Sequence, residues 1–263
     1  MPTELLAGKV ALVSGVGPGL GRDIALALAN AGADLVLAAR SRARLDEIAV
    51  EIEALGRRAI VVPTDITDIG ACERLIQAIG DTFGALHILV NNAFQQPPIG
   101  TIEAASEQDF RAGFEVNFFG HAWLTKAATP LLRTSAPASI VFINTMSTRR
   151  TRPNFGIYTA SKMALLGMAK VLATELGKDS IRVNSVHPGY IWGDSVQDYL
   201  QQRAQAEDRT FDEIYDEVAG ETPLHHLPGS DEIAQSVVFL ASEKMSSAIT
   251  GESIDVNAGH FIR

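Results

Sequence analysis

The chain has 263 residues, enough to bury one large core, and its 22 lysines and arginines against 31 acids leave a net charge of −9. That balance opposes binding to nucleic acid or to an anionic membrane, so a small molecule is the expected partner. Cys72 is the only cysteine, which excludes an intrachain disulfide and fits a reducing cytoplasm; neither a secretion signal nor a membrane-spanning run is expected.

Val10–Ser14 is a short apolar run ending in glycines, and the helical pattern Leu20–Ala29 follows it, so the order is strand, tight turn, helix. In the turn, Gly15 and Gly19 allow sharp bends and close approach to a pyrophosphate, while Gly21 permits tight packing of helix on strand. A dinucleotide site is expected there. The next strand, Asp34–Ala39, ends where an NAD site usually has an acidic residue for the ribose 2′-hydroxyl. Here Ala39 is followed by Arg40, whose guanidinium suits a 2′-phosphate, so NADP(H) is expected over NAD(H). Arg42 and Arg44 read as solvated residues at the start of a helix that buries Leu45, Ile48, Ala49, Ile52 and Leu55.

Ala59–Val62 is a third strand, followed by a helix through Cys72, Leu75, Ile76, Ile79 and Phe83 and a fourth strand over Leu86–Val90. The alternation predicts a parallel sheet with right-handed crossovers and a ligand at its C-terminal edge, where Asp65, Asn92 and Ala93 fall. One long, mostly apolar helix containing Asn117 is expected from Ser106 to about Arg133, then a fifth strand over Ser139–Thr145. The next helix carries Tyr158 and, one turn later, Lys162, and runs on to Ala173. Sharing a helix face, the ammonium is expected to lower the phenol's pKa and fit it for proton transfer near neutrality. Both long helices are expected to cover the sheet on one side and meet a second subunit on the other, giving a homo-oligomer, tetramer or dimer. Ser180–Val186 is a sixth strand leading to His187, Pro188 and Gly189. Residues 193–226 read as a mobile helical substrate lid, with Thr210 and Glu213 forming a capping box. A last helix, Ser230–Ala241, and a last strand, Ser253–Val256, close the pattern; the six histidines are scattered and read as non-ligating.

Taken in order, these motifs resemble the short-chain dehydrogenase/reductase family over nearly the whole chain. Gly15, Gly19 and Gly21 match its glycine turn with Ser14 in place of threonine, Asn91, Asn92 and Ala93 match most of its N-N-A-G motif, and Pro188 and Gly189 match its nicotinamide loop. The resemblance implies an α/β fold: a Rossmann-type, doubly wound parallel sheet of about seven strands with helices on both faces. It also implies one domain over 1–263, with a cofactor-binding half at about 7–135, a catalytic half at about 136–263 and the lid at about 193–226. By the same resemblance the cofactor is held by Gly15, Gly19, Leu20, Gly21, Arg40, Asp65, Ile66, Asn92, Ala93, Tyr158, Lys162, Pro188 and Ile191.

Asn117, Tyr158 and Lys162 match three of the family's catalytic four. The fourth, normally serine, falls at Thr145, which is favoured over Ser147. The implied reaction interconverts an alcohol and a ketone or aldehyde. Tyr158 acts as general acid and base, Lys162 supports it and the nicotinamide ribose, Thr145 orients the carbonyl, and Asn117 supports a water leading to Lys162. Phe94 replaces the motif's glycine and is expected beside the nicotinamide or at the substrate entrance, with Met146, Phe155, Tyr190 and Trp192 as further wall candidates for a moderately apolar substrate. Gly193 stands where the family often has a cofactor-contacting threonine. Arg149, Arg150 and Arg152 read first as a solvated loop or subunit contact, and otherwise as ligands for a carboxylate or phosphate on the substrate. The rival readings are an NAD-dependent alcohol dehydrogenase, an enoyl reductase of the same fold, and a non-catalytic dinucleotide sensor.

Overall fold

Aliphatic runs too short for helices become strands: β1 Val10–Ser14, β2 Asp34–Ala39, β3 Ala59–Pro63, β4 Ile88–Asn91, β5 Ala138–Ile143, β6 Ile181–Pro188 and β7 Ser253–Val256. The computed structural model describes residues 4–262. All pairings within the sheet are parallel, in the order β3-β2-β1-β4-β5-β6-β7. Between β1 and β4 the winding reverses, and it is outside such a switch point that open α/β sheets bind ligands. The helices are α1 Leu20–Asn30, α2 Arg42–Ala54, α3 Ile69–Phe83, α4 Glu107–Phe114, α5 His121–Thr134, α6 Gly156–Leu176, α7 Asp194–Ala206, α8 Phe211–Gly220, α9 Ser230–Ala241 and the short α10 Glu243–Ser246.

Successive strand residues point to opposite faces, and a parallel sheet covered on both sides needs both sets apolar. Ala11, Val13, Leu35 and Leu37 pack with Ile24, Leu28, Leu45 and Ile233 of α1, α2 and α9. Their neighbours Leu12, Val36, Ala38 and Leu89 pack with Leu75, Leu124 and Leu165 of α3, α5 and α6 on the other face. No helix among the described residues is long and apolar enough to cross a membrane.

Three local expectations change. The helix expected to run unbroken past Asn117 is α4 and α5 joined by a π-helical turn at Glu115–Gly120. There Asn117 Nδ2 donates to the Gly113 carbonyl at 3.2 Å, a side-chain amide competing with the backbone for a helix acceptor. Leu55 lies beyond α2 and is exposed, so that helix buries Leu45, Ile48, Ala49 and Ile52 without it. The lid is a packed helical pair rather than a loose segment. Leu200 and Ala204 of α7 meet Ile214 and Val218 of α8 in a small core of their own. Arg203 and Arg209 bridge Glu207 and Glu217 across the junction. The expected capping box forms, with Glu213 N–H on Thr210 Oγ1 at 3.2 Å and Thr210 N–H on Glu213 Oε2 at 2.9 Å.

Buried Arg182 on β6 closes the end of α9: its guanidinium donates to the Leu240 carbonyl at 2.7 Å, to Ser246 Oγ at 2.9 Å and to the Ala241 carbonyl at 3.4 Å. Arg182→Ala removes these three bonds, while the Leu240 carbonyl keeps those from Ser139 Oγ and Ser246 Oγ, and should cost roughly 1–3 kcal/mol, since a buried polar group stripped of a partner forfeits its solvation. A lowered urea midpoint at unchanged m-value is expected; an unshifted midpoint would show that α9 is capped without Arg182.

Candidate active site

The turns leaving β1 and β4 cross in direct backbone contact. Gly15 has φ +78°, and a Cβ on it would lie 2.5 Å from the Ala93 nitrogen and closer still to Ala93 Cα, so glycine is required on both conformational and steric grounds. Asn92 Nδ2 ties the turns together by donating to the Gly15 carbonyl at 2.9 Å. A Cβ on Gly21 would collide with that same carbonyl, which is why α1 can start so close to the sheet.

Beside this crossing opens a cleft of about 490 Å³. One arm is lined by Gly15, Leu20, Gly21, Arg40, Asp65 and Ile66, the other by Asn92, Ala93, Thr145, Tyr158, Lys162, Pro188 and Ile191. Two expected site residues, Gly19 and Asn117, and the disfavoured Ser147 lie off the lining. Gly19, at φ +81°, serves the backbone as the N-cap of α1. Ser147 sits in a 3-10 turn after β5 and gives its N–H to Thr145 Oγ1 at 3.2 Å. Asn117 is fully buried, and its amide clamps the backbone of Gln95, accepting from its N–H at 3.1 Å and donating to its carbonyl at 2.8 Å.

Arg44, read from sequence as a solvated helix-start residue, lines the cleft with Arg40, whereas Arg42 pairs with Asp46 at 3.6 Å. Arg40 follows β2 directly and Arg44 lies in the first turn of α2, and both line this arm of the cleft. Asp65 is held by Thr67, from N–H at 3.0 Å and Oγ1 at 2.7 Å, and these bonds together with Arg40 keep its carboxyl below the usual range.

At the other arm, Lys162 is buried and donates to the Ile143 carbonyl at 2.9 Å; burial pulls its pKa down to about 7. Burial pushes the Tyr158 phenol above its ordinary value, opposed by a hydrogen bond with Thr145. This reverses the expected depression of the phenol by the ammonium, because removal from water penalises the charged form of each group. The bond to Tyr158 and the place on the lining fall to Thr145 and not to Ser147.

His121 was invisible as a site residue in the sequence. Its ring is fully buried, with Nε2 2.9 Å from the Ala93 carbonyl and Nδ1 3.3 Å from Asn91 Oδ1; burial first, and the Lys162 charge second, drive its pKa to about 3, so it stays neutral. Only its spacing in the fold, not its sequence neighbours, marks it.

Of the wall candidates, Phe94 alone lines the cleft. Trp192 packs on Phe211 and Tyr215 at the base of the lid, Tyr190 stacks between Tyr199 and His260, Met146 is buried, and Phe155 bridges to Gly100. Gly193 is the residue before α7. None of the three arginines lines the cleft, and Arg150 is exposed as expected of a solvated loop. Arg149 pairs with Asp255 at 3.3 Å, Arg150 with Glu221 at 3.3 Å, and Arg152 lies over the Tyr190 ring while bonding its hydroxyl.

A family model described as enoyl-(acyl carrier protein) reductase matches residues 15–260. The chain is 32% identical over 256 residues to the short chain dehydrogenase/reductase astE of Aspergillus oryzae, covering 97% of this chain and 95% of that one. Among solved structures, carveol dehydrogenase from Mycobacterium avium in complex with NAD has a TM-score of 0.90 at 27% identity, covering 97% of this chain and 98% of that one. L-Sorbose reductase from Gluconobacter frateurii, complexed with NADPH and L-sorbose, has a TM-score of 0.90 at 29% identity and covers 97% of each chain. The chain belongs to the short-chain dehydrogenase/reductase family, oxidoreductases that act on alcohols and carbonyl compounds with a nicotinamide dinucleotide.

Lys162 sets a pH dependence of stability in the protein without cofactor. Its pKa falls from 10.5 when unfolded to about 7 when folded, so between those values the unfolded chain holds the extra proton and stability rises with pH. Lys162→Met should therefore be stabilised relative to wild type most at pH 7, with the gap narrowing toward pH 10; parallel melting curves across that window would place the lysine in a solvated environment.

Proposed function

We propose that the protein interconverts an alcohol and the corresponding ketone or aldehyde, with NADP(H) preferred to NAD(H) and Tyr158 as general acid and base. The observation that carries the reading is one cleft lined by Thr145, Tyr158 and Lys162 and, at its far arm, by Arg40 and Arg44. The cleft fits a dinucleotide: Gly15 leaves backbone where a Cβ would collide, and α1 presents first-turn N–H groups beside it. Leu20 and Gly21 would lie along the pyrophosphate, Arg40 and Arg44 at the 2′-phosphate, Asp65 and Ile66 by the adenine, and Ala93, Pro188 and Ile191 around the nicotinamide. When bound, that cofactor supplies or takes up hydride.

In reduction, Tyr158 Oη gives its proton to the carbonyl oxygen as charge develops there, and Thr145 Oγ1 donates a hydrogen bond to the same atom. The raised phenol keeps its proton at neutral pH, which suits it to the donor role. Lys162, in its ammonium form, stabilises the tyrosinate left behind. Asn117 also holds the wall of the site, its three bonds tying Gln95 of the loop after β4 to Gly113 of α4.

The description of the matching family model favours a second reading, reduction of an enoyl thioester. Carbonyl chemistry is supported over it by Thr145, a hydroxyl lining the same cleft as Tyr158 and Lys162. Self-association is supported by Phe119, Met163 and Val171, apolar side chains left exposed on the turn between α4 and α5 and along α6. The reading as a homo-oligomer, dimer or tetramer, is decided by light scattering during gel filtration.

Fluorescence titration should give tighter binding of NADPH than NADH by about tenfold or more, a margin of the size set by one charged hydrogen bond, and Arg40→Asp should erase it. Tighter NADH binding in the wild type would overturn the preference. Tyr158→Phe should lower kcat by about 10²–10⁴-fold with cofactor affinity retained, the range for loss of a general acid; near-normal turnover would remove Tyr158 from the chemistry. Crotonyl thioester reduced faster than any ketone would favour the enoyl reading.

A further inference from the structure

The loop joining β4 to α4 holds three large apolar side chains in solvent: Phe94 is 53%, Ile99 64% and Ile102 63% exposed. They lie along one course. Phe94 lines the cleft with Thr145 and Tyr158, its ring edge-on to the Tyr158 ring at a centroid distance of 5.5 Å. Farther along, Gly100 N–H donates to the Asn154 carbonyl at 3.0 Å and Gly100 pairs with Phe155 in a bridge. Ile102 then covers Gly156 so closely that a Cβ there would lie 2.5 Å from Ile102 Cγ1. Those partners lead directly into the helix that carries Tyr158.

The loop is also fixed at its start, by the Asn117 clamp on Gln95 and by buried Pro97. The exposure of Phe94 therefore belongs to a preformed wall, and a preformed apolar wall binds without the cost of ordering it. Leaving a phenylalanine ring in water is unfavourable, and a molecule whose carbonyl sits at Tyr158 would cover this one. Gln95 is the polar side chain of this wall that lines the cleft. A polyhydroxylated substrate would lose hydration here without equivalent hydrogen bonds, a substrate with an apolar ring would not.

Resting on the reading of Tyr158 as the proton donor, we propose that this wall receives an apolar ring next to the reacting carbon, with Phe94 as the specificity-determining residue. The substrate class is then an aromatic or alicyclic ketone, or its secondary alcohol, rather than a carbohydrate.

The test compares acetophenone with dihydroxyacetone as substrates of the NADPH-loaded enzyme. Wild type should favour acetophenone in kcat/KM by about tenfold or more; Phe94→Ala should reduce that ratio about tenfold through KM for acetophenone, and Phe94→Leu should recover most of it. A ratio unchanged by Phe94→Ala, or a wild type that favours dihydroxyacetone, overturns the proposal. Binding is read separately by NMR saturation transfer to acetophenone on the cofactor-loaded Tyr158→Phe protein, with and without Phe94→Ala. Transfer that depends on Phe94, with no turnover of either ketone by wild type, would remove the redox role of Tyr158 and leave the wall standing. Absence of transfer with Phe94 in place would remove the wall whatever the turnover.

Discussion

The contact on which the rest of the site depends is the crossing of two chain turns at Gly15 and Ala93. Nothing larger than hydrogen fits between them. Because the turns touch, Asn92 can reach the Gly15 carbonyl, α1 can begin against that carbonyl through Gly21, and His121 can hold the Ala93 carbonyl from below. The two arms of the cleft come from opposite halves of a sheet whose winding reverses between β1 and β4, and this contact sets the distance between them. A side chain at Gly15 would push the halves apart and act on both arms together.

Around that contact the fold collects groups that resist charge. His121 is held neutral, Lys162 is brought to about 7, and Tyr158 is raised, each chiefly by removal from water. A site of this kind stores little charge of its own, so a charge that develops during reaction is felt strongly in a medium of low polarisability. The lysine and tyrosine lie one helical turn apart on α6, and each is shifted chiefly by the burial that the assembled site imposes.

The segment between Thr145 and Tyr158 links this chemistry to the lid. Arg149 reaches β7, Arg150 reaches Glu221 just after α8, and Arg152 reaches Tyr190, which stacks on Tyr199 of α7. His260 adds a second bond to Glu221 at 3.0 Å. These arginines thus join the segment between Thr145 and Tyr158 to β7 and to the α7–α8 pair. The lid's own core and its arginine–glutamate bridges make it a stiff piece, attached through these ties.

Much of this was legible in the residue pattern, because period and punctuation act locally. Alternating apolar runs and glycine turns determined the strand and helix order and the parallel sheet, and the spacing of Tyr158 and Lys162 determined that they share a face. Arg40 was expected at the cleft from its place after β2, and Thr145 from the family resemblance. What tertiary structure decided were properties that depend on packing between distant segments. The sign of the Tyr158 and Lys162 shifts follows from how completely the cleft excludes water, which no spacing encodes. The burial of Asn117 as a clamp follows from a partner 22 residues away in sequence, Gln95, and the His121 bond from one 28 away, Ala93. Arg44 entered the cleft, and Trp192 and Tyr190 left it, because the tilt of α2 and the seat of the lid are set by side chains that meet only when the sheet is assembled. Sequence by itself therefore determined which elements form and which residues they carry to the sheet edge; only the tertiary structure decided which of those side chains face one another, because solvent exclusion and contact are properties of the assembled surfaces.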